Sequence, residues 1–215
     1  TLSEPEIDLS RPGPADPVGE HMVVIARDPQ GYASLARAIS EGQLAGQKGA
    51  PRISYERLVE LGGSSDHWLI LTGCRKASVP KTLVESGPTA ARRALDQLVS
   101  DFGRENVAVE LWDHGLPSDS VRNDGLAELA VVAGLDLVAT GNVHHHSVAR
   151  KRLASAMAAV RARRSLDEID GWLPPAGLHL RSGDEQAQRF ARYPGVVERA
   201  AALGPHPWSY IFFEE

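Results

Sequence analysis

Short apolar runs alternate with segments of helical hydrophobic spacing along most of this 215-residue chain. His21-Met-Val-Val-Ile-Ala26, Trp68–Thr72, Val107–Leu111 and Asp136–Thr140 have the length and apolar content of buried strands. Asp28 is placed to cap the helix that follows the first of them. Pro29 takes the first helical position, and Tyr32, Leu35, Ala36 and Ile39 keep helical spacing. Ser54 opens a short helix through Leu61, which Gly62-Gly63 ends. A loop after the second strand leads to a helix over Thr89–Phe102, closed by Gly103. Ser118 opens a further helix that runs to Ala133, with Gly134 as its cap. Residues Ser147–Arg164 form another helix, in which Leu153, Met157 and Val160 at i, i+4 and i+7 predict a buried stripe. Shorter helices near 183–192 and 194–202 complete the pattern.

This alternation predicts an α/β fold with a largely parallel sheet and helical crossovers, either open or closed into a barrel. The four predicted strands are too few for a barrel, so a barrel here would lack its first strands. Residues 1–20 form a loop-rich segment in which Glu4, Glu6, Asp8, Asp16 and Glu20 lie among four prolines. Residues 204–215 end in an aromatic strand-like tail with nothing after it. That tail raises the expectation of a chain cut from, or diverged from, something longer.

Composition narrows the function classes. The hydrophobic fraction of 42% is enough to fill a core, and the net charge of -5 argues against a generally basic nucleic-acid-binding surface. No apolar run is long enough to span a bilayer, the N-terminus lacks signal-peptide character, and the single cysteine cannot form an internal disulfide. A cytoplasmic protein with no membrane partner is the expectation.

Chemistry-bearing residues gather at strand ends. The run Leu137-Val-Ala-Thr-Gly-Asn-Val-His-His-His146 carries a buried strand into His144, His145 and His146. Neutral imidazole ligates Zn and Mn. Trp68-Leu-Ile-Leu-Thr-Gly-Cys74 ends equivalently in a thiol, which is either a ligand or a small apolar residue. His21 precedes its strand, so it reaches the same edge only if that strand runs antiparallel or the barrel is distorted. Glu110, Asp113 and His114 form a third cluster, in which a carboxylate beside a histidine suits acid–base work or simply a turn. Arg150, Lys151, Arg152, Arg161, Arg163 and Arg164 make the helix after the histidines the most basic stretch of the chain. Arg161 and Arg164 are candidates to hold nucleic-acid phosphates, against a plain solvated face.

In order, these pieces resemble the PHP (polymerase and histidinol phosphatase) domain of bacterial DnaE-type polymerases, the polymerase III alpha class. The matching segments are His21-Met-Val-Val-Ile-Ala-Arg-Asp with Gly31-Tyr, Pro51-Arg-Ile, Leu71-Thr-Gly-Cys74, Glu110-Leu-Trp-Asp-His-Gly-Leu-Pro117 and Val138-Ala-Thr-Gly-Asn-Val-His144. Gly171-Trp-Leu-Pro and His179-Leu-Arg-Ser are most similar to the error-prone, DNA-damage-associated branch. The resemblance covers roughly residues 3–203. It implies a partial, distorted (β/α)7 barrel over 21–203, with a divergent tail at 204–215.

The family's trinuclear metal site would map here onto His21, Cys74 and His144, with Asn142 where the family's final Asp belongs. Glu110 and His114 would lie near these ligands, and the earlier ligands would fall upstream of Thr1. Zn or Mn could occupy a residual site, and Mg would serve the parent polymerase. The implied function is the PHP portion of an error-prone DNA polymerase acting in damage tolerance, itself catalytically degenerate. DNA and other polymerase or mutasome subunits would be its partners. The alternatives are a free-standing metal-dependent phosphoesterase or 3′–5′ exonuclease, and a non-catalytic scaffold module.

Overall fold

Asp28 starts the first helix just after the first strand: its carboxylate accepts from the Gly31 N–H at 2.7 Å, and Pro29 begins the helix. The computed structural model describes residues 19–46, 51–63, 65–173, 177–203 and 210–213. The chain divides into two compact units, one comprising 19–142 with 181–215 and the other built on 143–180.

The first unit carries the sheet. In chain order it contains β1 (Met22–Ala26), α1 (Pro29–Ala45), α2 (Tyr55–Gly62), β2 (Trp68–Leu71), α3 (Ser78–Ser86) and α4 (Pro88–Phe102). There follow β3 (Val107–Leu111), α5 (Pro117–Ala133) and β4 (Asp136–Ala139). Strand order is β4-β3-β2-β1-β5, where β5 is Tyr210–Phe213. β2, β3 and β4 are mutually parallel, as expected for strands joined by helical crossovers. β1 departs from the parallel expectation. It runs antiparallel to β2, with Val23 opposite Leu71, and antiparallel to β5 on its other side. The tail strand of the sequence pattern therefore pairs with β1. Residues 1–18, which hold most of the expected N-terminal loop, lie outside the described residues, as do 204–209 and 214–215 of the expected tail.

Strand alternation divides the buried residues between two faces. Val24, Ala26, Trp68, Ile70, Val107, Val109 and Leu111 pack with the helices that carry Leu35, Leu58, Leu95 and Leu126. Leu69, Leu71, Ala108 and Val138 face the other way, against Ala200 and Leu203 of α8 (Val196–Leu203). All four residues of β2 are buried, which explains its unbroken apolar sequence. Trp68 sits so close to α2 that a Cβ on Gly62 would lie 1.9 Å from its ring, so glycine there is a packing requirement.

Several helices differ from the sequence expectation. Residues 78–86 form α3 rather than loop: Pro80 falls in the first turn, where the missing N–H has no intrahelical acceptor to lose. In the second unit, α6 (Lys151–Ala162) does not bury the Leu153–Met157–Val160 stripe. Ser155, Ala159 and Ala162 are buried instead, and Ala159 and Ala162 pack with Ile169. Leu153, Met157 and Val160 are 50%, 64% and 77% exposed. Small side chains bring a helix backbone close to its neighbour, and here that decides which face turns inward. The two C-terminal helices are shorter than expected, α7 at Gly183–Arg189 and α8 at Val196–Leu203. Ser182 and Glu185 form a capping box at the start of α7. Among the described residues no helix is long and apolar enough to cross a membrane.

Candidate functional site

The C-terminal ends of β2, β3 and β4 share one edge of the sheet, and the antiparallel β1 brings its N-terminal residue to the same edge. His21 Nδ1 consequently lies 3.1 Å from Cys74 Sγ. Of the two conditions under which His21 reaches this edge, the structure meets the first. Gly73 makes the turn that presents Cys74: its φ is +76°, and a Cβ there would sit 2.8 Å from the Ala77 side chain. Burial raises the Cys74 thiol above its ordinary range, and the nearby Glu110 carboxylate adds to that effect. The thiolate needed for ligation therefore requires a cation or proton acceptor to stabilise it.

Glu110 is the buried carboxylate of this edge, 4% exposed. Its backbone N–H donates to Thr72 Oγ1 at 2.9 Å, and its Oε1 accepts from the Thr140 hydroxyl at the end of β4. Oε2 is buried with no hydrogen-bond partner among the described residues. Burial pushes the carboxyl up to about 6 against the pull of the Thr140 hydroxyl and, more weakly, of the Gly73 backbone N–H. Asn142, just beyond Thr140, has φ 39° and so makes the left-handed turn that leaves β4. A cavity of about 370 Å³ adjoins His21, with Met22, Tyr55, Leu58 and Leu98 in its walls.

The expected acid–base pair of Asp113 and His114 is drawn into different arrangements. Asp113 Oδ1 is 3.1 Å from Arg189 Nη1 of α7. The His114 ring lies against Trp112, tilted by 31° with centroids 4.6 Å apart, and the Arg122 guanidinium covers Trp112 3.5 Å from its centroid. Asp119 ties this group together. One oxygen accepts the His114 and Leu116 N–H groups at 2.9 and 3.0 Å, and the other pairs with Arg122 at 2.8 Å. Burial works to raise the Asp119 carboxyl, but Arg122 and those N–H groups outweigh it and hold it below the ordinary aspartate value. Trp112 Nε1–H donates to Gly73 O at 3.3 Å, which links this cluster to the turn before Cys74.

Trp112, Asp119 and Arg122 were missed in the sequence as site-forming residues. The available signal was an acidic residue in the first turn after Leu116-Pro117 with an arginine three residues on, a spacing that puts both on one helix face.

In the unit 143–180, the buried histidine is His145 rather than His144. His145 is 8% exposed, its Nδ1 lies 2.9 Å from Ser147 O, and its ring stacks on His179. The His144 and His145 N–H groups both donate to Leu178 O, whereas the His144 and His146 side chains are exposed. Arg161 and Arg164 are exposed as well. Among the described residues, no three His, Cys, Asp or Glu side chains gather closely enough to hold a metal ion. Among the described residues, the hydrogen-bonded His21–Cys74 pair lies somewhat inside the roughly 3.5 Å that separates imidazole nitrogen and thiolate sulfur on a tetrahedral zinc. This donor set does not fit a trinuclear centre.

Residues 6–114, just over half of the chain, match the PHP domain family. The chain belongs to the PHP domain family. PHP domains are generally metal-dependent. This PHP chain is 50% identical over 191 residues to the error-prone DNA polymerase of Mycobacterium tuberculosis (strain CDC 1551 / Oshkosh), an alignment covering 88% of the chain and 17% of that relative. It is 46% identical over 206 residues to the error-prone DNA polymerase of Cutibacterium acnes, covering 94% of the chain and 18% of the relative. The DNA polymerase III subunit alpha of Thermus aquaticus is 30% identical over 155 residues, 72% of the chain and 12% of the relative. The PHP chain thus spans less than a fifth of the length of these polymerases. The sheet is consistent with a partial (β/α) barrel of this family.

Proposed function

We propose that this chain is the PHP portion of an error-prone DNA polymerase and works there as a structural module without hydrolytic activity of its own. Its contribution to damage tolerance is to support a polymerase whose DNA-synthesis carboxylates and Mg ions belong to other parts of the protein. The observation that carries this reading is 50% identity to an error-prone polymerase across 88% of the chain, at a sheet edge where no three described metal donors gather and His21 and Cys74 form a close pair. Asn142 supports it, because a neutral amide replaces the anionic ligand that the family resemblance calls for and weakens a multi-cation site. The pair retains the chemistry for one Zn or Mn ion. DNA is reached through the polymerase, and other polymerase or mutasome subunits are the expected protein partners.

A chimera tests this directly. The matching 191-residue stretch of the mycobacterial error-prone polymerase would be replaced by this chain, and damage-induced mutagenesis measured in cells. Retained lesion bypass is expected, including when the chimera carries His21→Ala. Loss of bypass in a stably expressed chimera, or loss caused by His21→Ala alone, would refute the structural role. The close His21–Cys74 contact also fits a second reading, a residual phosphoesterase, which predicts Mn- or Zn-dependent turnover by the isolated chain.

A further inference from the structure

α6 is turned opposite to the usual rule, with its small residues buried and its bulky ones in solvent. Leu153, Met157 and Val160 stand 50%, 64% and 77% exposed at i, i+4 and i+7, so they form one continuous ridge along the helix. Val148, 59% exposed in the turn that leads into α6, extends the apolar surface. By helical spacing, Arg150 and Arg161 border one side of the ridge and Arg152 the other. Six of the chain's 23 Lys and Arg residues fall between Arg150 and Arg164, and no Asp or Glu does, although the chain as a whole carries -5.

We propose that this face of α6 is a docking surface for an acidic amphipathic helix of a protein partner. Aliphatic residues at i, i+4 and i+7 are the anchors of helix-in-groove and helix-on-helix recognition, and a charged rim around an apolar centre is the usual anatomy of a protein interface. The rim selects the partner's sign. Glutamates or aspartates flanking the partner's apolar stripe would meet Arg150, Arg161 and Arg152, which speeds encounter and sets orientation. A second copy of this chain would bring two basic rims together, and like charges facing each other disfavour that pairing. A DNA backbone offers phosphates but no apolar complement, so it would leave the ridge, the centre of the surface, unmatched.

The test uses the full 215-residue chain and a fluorescein-labelled synthetic helix with leucines at i, i+4 and i+7 and glutamates on both flanks. A peptide of the same composition with its leucines dispersed serves as control, and a labelled single-stranded oligonucleotide as the competing ligand. The expected result is saturable binding of the first peptide only. Met157→Glu should weaken it about tenfold, as should Val160→Glu as a second variant, with unchanged melting temperature in at least one of them. Charge reversal at Arg161 should weaken it several-fold and reduce its salt dependence. Three outcomes would overturn the proposal: equal binding of both peptides or of neither; oligonucleotide binding that needs Arg161 and Arg164 but tolerates Met157→Glu and excludes the peptide; or concentration-dependent dimers abolished by Met157→Glu.

Discussion

Two neighbouring strand ends bury ionisable groups in opposite ways. Beyond β3, Asp119 has both oxygens engaged, by two backbone N–H groups and by Arg122, and the Arg122 guanidinium also covers Trp112. Beside them, Glu110 of β3 keeps one buried oxygen without a hydrogen-bond partner among the described residues, and at the neighbouring β1 and β2 ends burial raises the Cys74 thiol, 3.1 Å from His21. The first arrangement engages both carboxylate oxygens and shapes a loop, although Arg122 Nε there is buried with no hydrogen-bond partner among the described residues. The second carries an electrostatic cost, and it is where a ligand would relieve that cost. Polar burial at a sheet edge therefore does not by itself mark a site. The state of the carboxylate, with both oxygens engaged in Asp119 and one left over in Glu110, distinguishes the two.

The comparison can be broken at its stronger end first. Arg122→Ala leaves Asp119, 1% exposed, without its ion-pair partner and should cost about 3–5 kcal/mol, visible as a large drop in melting temperature. A loss below 1 kcal/mol would mean that the Asp119–Arg122 pair does not organise the loop.

The next effect has the opposite sign. The Glu110 carboxyl is raised from 4.5 to about 6, so the fold resists an ionisation that the unfolded chain accepts freely. Stability is unaffected below about pH 4.5, falls as pH rises toward 6, and stays reduced above it. Glu110→Gln, which removes that charge, should stabilise the protein by up to about 2 kcal/mol at pH 7.5 and change little near pH 4. Denaturant melts at the two pH values check it, and equal effects at both would mean that Glu110 is compensated after all.

Cys74→Ser should shift stability by less than about 1 kcal/mol in metal-free buffer. Its expected effect lies in Co²⁺ binding, where the thiolate charge-transfer absorption should vanish. A destabilisation as large as that of Arg122→Ala would make Cys74 a core residue instead. Smallest of all, Arg161→Glu with Arg164→Glu should leave the melting point almost unchanged, since both side chains are exposed.

The parts legible in the sequence were those set by local rules. Asp28 with Pro29, Ser54, and the unbroken apolar run of β2 each specify their element from within a few residues. Helix boundaries around Pro80 were harder, because a proline reads as a break until its place in the first turn is known. The direction of β1 was left open, because periodicity is blind to strand polarity, yet it decides that His21 meets Cys74. The α6 stripe misled for a related reason. Spacing identifies a face, but which face turns inward depends on what packs against it, and close approach favoured Ser155, Ala159 and Ala162. The Asp119–Arg122–Trp112 group joins residues on either side of a turn, so no single helical or strand period displays it.

The central claim is that the β1–β2 edge keeps two metal donors and no hydrolytic centre. It is tested most directly by dialysing the chain against Zn²⁺ and Mn²⁺, counting bound ions by mass spectrometry, and assaying the same samples on bis-p-nitrophenyl phosphate and a labelled 3′-ended oligonucleotide. The account predicts at most one ion per chain, lost in Cys74→Ser, with no hydrolysis above buffer. Three ions per chain, with turnover that His21→Ala abolishes, would contradict it.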